Sequence, residues 1–282
     1  MQGSRIVTIV LAAGLAACDK GTLDLDVADA PIDDADAVVV QFTGVTLRHS
    51  NGDTEDFDFE TPKSIDLAAQ TEGASAALLA GVRVEDGDYT EVRLRLSATG
   101  AGTDSYVDET GGARRALVLD AADEGRLRIP ATFNVGRGDR MALTVDFDLR
   151  KSVLTPDSAS APYGLRPSLR LVATEGTGAV AGAVTAALAG ASGCRPAVYL
   201  YRGHGVTPDD EGSVGAPFAS ARVRATGADF AYRIAFIPPG NYTAAFTCQA
   251  AADDPETDDA TTFPETAEVT VSTGATATAD FP

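Results

Sequence analysis

The chain has no tryptophan, two histidines, two methionines and only three cysteines in 282 residues. Basic residues are scarce: 22 Lys and Arg stand against 41 Asp and Glu, a formal net charge of −19. Nucleic acid or anionic lipid must overcome like-charge repulsion to approach such a surface, which argues against nucleic-acid partners. The chain has no Cys-x-x-Cys pair, and His49 and His204 are far apart, which argues against zinc. No Gly-x-Ser-x-Gly elbow is present, and the glycine-rich stretches lack phosphate-loop spacing. Beyond the first eighteen residues no apolar run is long enough to cross a bilayer.

What is present begins at the N-terminus. Arg5 precedes an apolar run from Ile6 to Ala17 that is too short for a permanent spanning helix, and small residues lead directly into Cys18. This reads as a secretory signal over residues 1–17 whose removal leaves Cys18 first. Leu15-Ala16-Ala17-Cys18 resembles the lipobox of bacterial lipoproteins. The resemblance implies a lipidated Cys18 followed by a short tether over residues 18–22. It places the protein at the cell envelope of a Gram-negative bacterium, in the inner or outer membrane, with the membrane a partner through the lipid alone. An ordinary signal peptide with an incidental cysteine is the alternative. Once Cys18 is set aside, Cys194 and Cys248 remain. Export through an oxidising compartment favours a disulfide between them, with two free buried thiols as the other reading.

From Leu23 onward apolar residues recur at period two, the strand signature. Leu23, Leu25 and Val27 alternate with Asp24 and Asp26; Val92, Leu94 and Leu96 alternate with Arg93 and Arg95. Leu143, Val145, Phe147 and Leu149 have Asp146 and Asp148 between them, which predicts a solvent-facing side for both carboxylates. Asn51-Gly52 is a hairpin signal. A short strand is expected at Ile65 and Leu67, and another from Leu165 to Val172. Ala and Leu density suggests a helical turn from Ala74 to Leu79. Thr174 to Gly178 reads as a linker. Beyond it Tyr232, Ile234 and Phe236 alternate, then Tyr242, Ala244, Phe246 and Cys248. Many short strands with almost no helix predict an all-β protein of two tandem β-sandwich domains, residues 23–174 and 175–282.

Several segments carry a family resemblance. Asp29-Ala30-Pro31, Val38-Val39-Val40, Ser64-Ile65-Asp66-Leu67, the run from Gly87 to Leu94, that from Val145 to Ser152, and Leu165-Arg166-Pro167-Ser168 resemble a bacterial lipoprotein family, domain of unknown function 4382. It implies an exported all-β domain with no established activity. Phe236-Ile237-Pro238-Pro239-Gly240-Asn241-Tyr242-Thr243 and Val180-Ala181-Gly182-Ala183-Val184 resemble carboxypeptidase-regulatory-like, transthyretin-type domains. Such domains act as spacers, adhesion modules or, in some relatives, starch-binding modules.

Three acidic groups stand out: Asp29, Asp33, Asp34 and Asp36; Asp209, Asp210 and Glu211; and Asp253, Asp254, Glu256, Asp258 and Asp259. Calcium takes six to eight oxygens, so the last group is the candidate metal site. Solvated loops without EF-hand spacing are the alternative, and no other cofactor is expected. Both histidines are placed in exposed loops, away from any triad. Tyr199, Tyr201, Tyr232 and Tyr242 read as core residues rather than a sugar platform. The expectation is a non-enzymatic binding or adhesion module with an envelope protein or glycan as partner. The alternatives are a carbohydrate-binding accessory, a plain spacer, or a hydrolase using two carboxylates. Replacing Cys18 (Cys18→Ala) should release soluble protein or leave an uncleaved precursor; unchanged lipid labelling in a fractionation assay would refute the anchor.

Overall fold

A computed structural model describes residues 20–282 except 31–34, 120–124, 157, 159, 167 and 228. Cys18 and the lipobox therefore lie outside the described residues, as do Asp33 and Asp34. The described chain is almost entirely β, in four sheets packed as two pairs.

The first pair begins at Lys20–Ala30, so the stretch expected to be tether is already strand at Lys20. This strand runs parallel to Arg140–Asp148 and antiparallel to Ala76–Glu85, with Leu169–Ala173 at the sheet's edge. The opposing eight-stranded sheet is built on Ala35–His49. Thr54–Asp66 pairs with that strand along one edge, Gly87–Ser97 and Tyr106–Glu109 along other stretches of it. The Asn51-Gly52 hairpin forms as expected: Gly52 takes φ 99°, a left-handed conformation that needs glycine, and Asn51 Oδ1 accepts from the Asp53 amide at 2.9 Å. Between the sheets Leu23, Leu25, Phe42, Leu47, Val92, Leu94, Val145 and Phe147 form the core. Phe42 and Phe147 meet edge-on across it, ring centroids 6.4 Å apart.

Three local expectations are corrected. The segment around Ala74 to Leu79 is no helix; Ala76–Glu85 is a strand. Its backbone completes a ladder with Lys20–Ala30, and register shifts there let the consecutive Leu78 and Leu79 both be buried. Ile65 belongs to the long strand Thr54–Asp66, which stops because Asp66 Oδ1 accepts from the Val38 and Ala68 amides and turns Leu67–Ala69 into a 3₁₀ helix. The strand expected from Leu165 to Val172 is two, Tyr163–Leu165 and Leu169–Ala173, in different sheets.

A 3₁₀ turn, Thr174–Gly176, leads into the second pair. Gly178–Val184 pairs antiparallel with Asp229–Ile237 and parallel with Thr276–Thr278, which repeats the parallel pairing of an early strand with a late one. The facing sheet orders Ala219–Arg222, Ala197–Arg202, Gly240–Thr247 and Glu265–Val271. Val198, Leu200, Tyr232, Ile234, Phe246 and Phe281 fill this second core. A disulfide joins Cys194 to Cys248 across 54 residues of sequence, beside the backbone bond from the Arg195 amide to the Cys248 carbonyl. Closing a loop of that length removes unfolded-state entropy worth about 4 kcal/mol in the chain-entropy model. Reduction should therefore lower the melting temperature of the second sandwich and leave the first nearly unchanged in a calorimetric scan; equal shifts in both transitions would contradict this assignment.

Candidate functional site

Ala197–Arg202 is buried on both faces. Val198 and Leu200 point into the second core. Tyr199 and Tyr201 point the other way, into a small cluster with Ala245, Ala250 and Phe263. Two long segments, 203–218 and 248–264, supply the cover for this outer face. Phe263 packs 5.6 Å from the Tyr199 ring. The Tyr199 hydroxyl donates to Asp253 Oδ2 at 2.6 Å, and Tyr201 donates to the Asp209 carbonyl. Burial pushes both phenols well above their ordinary range. Tyr232 and Tyr242 lie in the sandwich core as expected, whereas Tyr199 and Tyr201 are buried under loops.

Laying acidic loops on an apolar face carries carboxylates out of water. Asp210 is 0% exposed, Glu211 5% and Asp253 9%. Carboxylate oxygens of Asp210, Asp253 and Asp259 all lie within 4.8 Å of one another, and so do those of Asp209, Asp210 and Asp258. Two acidic runs separated by some forty residues of sequence thus form one cluster. Asp254 and Glu256 stand outside both groups. Asp254 Oδ1 accepts from the Glu256 amide at 2.9 Å, and Glu256 pairs with Arg166 of the first sandwich at 2.7 Å. In the third acidic run the one described side chain, Asp36, accepts from Thr110 at 2.8 Å.

Burial acts against ionisation of Asp210, yet backbone amides of Asp259 and Gly212 hold its carboxyl below the usual range. Burial raises Asp253, against the hydrogen bond from Tyr199. Burial and the neighbouring Asp148 push Glu211 up to about 8, opposed by Arg150 and Lys151.

Those last three residues belong to the first sandwich and bring its surface to the second. Asp148 caps the turn Leu149–Ser152 by accepting from the Lys151 amide. Arg150 is buried, its guanidinium 5.9 Å from the Tyr199 ring, and Lys151 donates to the Pro217 carbonyl at 3.3 Å. Beside them a cavity of about 260 Å³ opens between the sandwiches. Lys151, Arg170, Arg222, Arg224 and Arg233 line it, with Phe218 and Phe236 as apolar wall. Two guanidiniums lie over the Phe218 ring, Arg170 at 4.4 Å and Arg202 at 3.7 Å from its centre. Two non-glycine residues of the lining, Phe236 at φ 56° and Glu72 at φ 61°, hold left-handed backbone. Such strain costs roughly 1–3 kcal/mol per residue and persists only where the surroundings enforce it.

Asp146 and Asp148 are therefore not the solvent side of their strand. Asp146 is half-buried against Arg170, its side chain 12% exposed, and loss of solvent raises its carboxyl despite that partner. The alternation was read correctly, but the second sandwich covers the face that a lone sandwich would leave wet. His49 is no loop residue either. It ends the strand Ala35–His49, with Nε2 2.8 Å from Glu55 and its ring 4.1 Å from that of Tyr89. His204 is exposed, as expected, and contacts the Val269 carbonyl at 3.1 Å. The four arginines of the cleft give no signal in sequence, because they stand on four separate strands.

The sequence profile of Domain of unknown function (DUF4382) matches residues 20–167, which holds the whole parallel pairing of Lys20–Ala30 with Arg140–Asp148. The chain belongs to the DUF4382 family. No curated protein matches it. Among solved structures, the Bacillus anthracis TIE protein overlaps 93% of this DUF4382 chain at 10% identity and TM-score 0.22; the chain spans 34% of that protein's length. The fimbrial anchor protein Mfa2 from Porphyromonas gingivalis overlaps 83% of this chain and 80% of its own at 11% identity and TM-score 0.20. GBS52, the minor pilin of Streptococcus agalactiae, overlaps 92% and 94% at 11% identity and TM-score 0.21. Likeness this distant carries no conclusion about activity.

The Asp146–Arg170 pair makes the cleft testable. Removing one partner of an ion pair leaves an uncompensated charge, at a cost of about 3–5 kcal/mol where the pair is fully buried and less here, where the side chains are 12% and 18% exposed. Asp146→Ala should lose about 1–3 kcal/mol in urea unfolding, below the fully buried figure, while the double change Asp146→Leu with Arg170→Met should lose less. A double variant as unstable as the two single losses added together would show that the pair is not coupled.

Proposed function

We propose that this DUF4382 chain is a non-catalytic binding or adhesion module of the cell envelope, lipid-anchored through Cys18, that takes an anionic group into the cleft between its two sandwiches. The observation that carries this reading is the convergence of Lys151, Arg170, Arg222, Arg224 and Arg233 on one cavity in a chain of net charge −19. An acidic surface repels anions, so a local reversal of sign selects where an anionic group binds. Arg170 and Arg224 meet carboxylates, Asp146 and Glu72, at its rim, and their guanidinium forks retain further donor capacity. The resemblance of the second sandwich to transthyretin-type domains fits such a module.

The hydrolase alternative has less support. Of its candidate carboxylates, Asp146 is engaged by Arg170 and Asp148 by the Lys151 amide. His49 and His204 lie in different sandwiches, each engaged by its own partner. The carbohydrate-accessory reading loses its tyrosine platform, since all four candidate tyrosines are buried; Phe218 and Phe236 at the cleft are what it retains.

An array of acidic and neutral glycans, probed with wild-type protein and with the charge reversals Arg222→Glu and Arg233→Glu, tests the proposal. Expected are hits confined to anionic ligands and lost at least tenfold in both variants. An array without hits would favour a spacer, and turnover abolished by Asp146→Asn would install the hydrolase.

A further inference from the structure

We propose that the facing segments 209–212 and 253–259 form a calcium site, with Asp210, Asp253 and Asp259 as its carboxylate ligands and Asp209 and Asp258 at its outer side. Two oxygens bound to one calcium ion at about 2.3–2.6 Å can stand no more than about 5 Å apart. The oxygens of Asp210, Asp253 and Asp259 meet that limit, at 4.8 Å or less for every pair.

The second observation is the state of Asp210. Its side chain is 0% exposed, and while Oδ2 accepts from the Gly212 amide at 2.9 Å, Oδ1 accepts no hydrogen bond of ordinary geometry among the described residues, the Asp259 amide acting on the carboxyl only from farther off. A buried carboxylate oxygen without a donor is costly and rare in folded proteins. Here it belongs to the one residue shared by both carboxylate groups.

The donor set decides which cation. All the ligands are hard carboxylate oxygens, with no histidine or cysteine among them, which disfavours zinc and copper. Their positions are set by contacts unrelated to a metal. Asp253 is held by Tyr199 and by the Glu211 amide, and Asp259 Oδ2 accepts from the Asp254 amide at 2.7 Å. The two segments also touch directly: a Cβ added to Gly212 would stand 1.7 Å from the Thr257 carbonyl oxygen, so only glycine lets them approach. Calcium accepts such irregular arrangements, whereas magnesium demands near-ideal octahedral geometry and keeps several waters. Glu211 and Glu256 extend from the same two segments toward Arg150, Lys151 and Arg166 of the first sandwich. An ion holding the segments together would therefore also stiffen the junction.

Tyr199 provides a probe, since its hydroxyl is 2.6 Å from Asp253 and the chain has no tryptophan to mask tyrosine excitation. The full chain is titrated with terbium chloride, and tyrosine-sensitised emission is then competed with calcium chloride or magnesium chloride. Expected is saturable emission displaced by calcium near 10⁻⁴–10⁻³ M, on the order seen for extracellular modules. Magnesium should be at least tenfold weaker. Asp210→Asn should weaken calcium at least tenfold, and Asp86→Asn, an exposed acid elsewhere, should change nothing. If Asp210→Asn does not fold, Asp259→Asn, at a more exposed ligand, carries the same expectation. Emission that never saturates, magnesium equal to calcium, or wild-type affinity in the folded variant would overturn the site.

Discussion

The burial of Ala197–Arg202 on both faces is the constraint from which the second half of the molecule follows. A sheet strand with large side chains on each side needs two covers, and the opposing sheet supplies only one. The other must come from the connecting segments, and in this chain those are rich in aspartate. Apolar contact with Tyr199, Tyr201 and Phe263 holds them down, and the buried phenol of Tyr199 anchors Asp253. Carboxylates that would be solvated on an isolated loop are thereby gathered into low dielectric.

The same covering segments build the junction. Glu211 and Glu256 project from them to Arg150, Lys151 and Arg166, and Pro217 and Phe218 meet Lys151 and Arg170. The cleft lies where these contacts leave off. Its arginines come from strands of both sandwiches, its strained Glu72 from one and its strained Phe236 from the other. Stability of the outer face, attachment of the two sandwiches and the charge of the cleft are thus properties of one connected surface.

The all-β character was legible because period-two alternation reports a pleated strand with one buried face. Leu23, Leu25 and Val27, or Leu143, Val145 and Phe147, needed no partner to be recognised. Composition from Ala74 to Leu79 is compatible with helix or strand, and a neighbouring strand makes the choice. Asp253, Asp258 and Asp259 stand out as candidate ligands through their density in sequence. Asp210 belongs to another acidic run, and nothing local says that the two runs meet.

Local pattern by itself determined where most of the alternating strands run, where the chain turns at Asn51-Gly52, and which two cysteines were available to pair, since each depends on residues close in sequence or on simple parity. Only tertiary structure decided that Lys20–Ala30 would pair parallel with Arg140–Asp148, that Asp146 would be covered and paired with Arg170, and that Asp210 would stand among distant aspartates. Alternation tells which residues share a face; whether that face meets water or another layer depends on segments a hundred residues away.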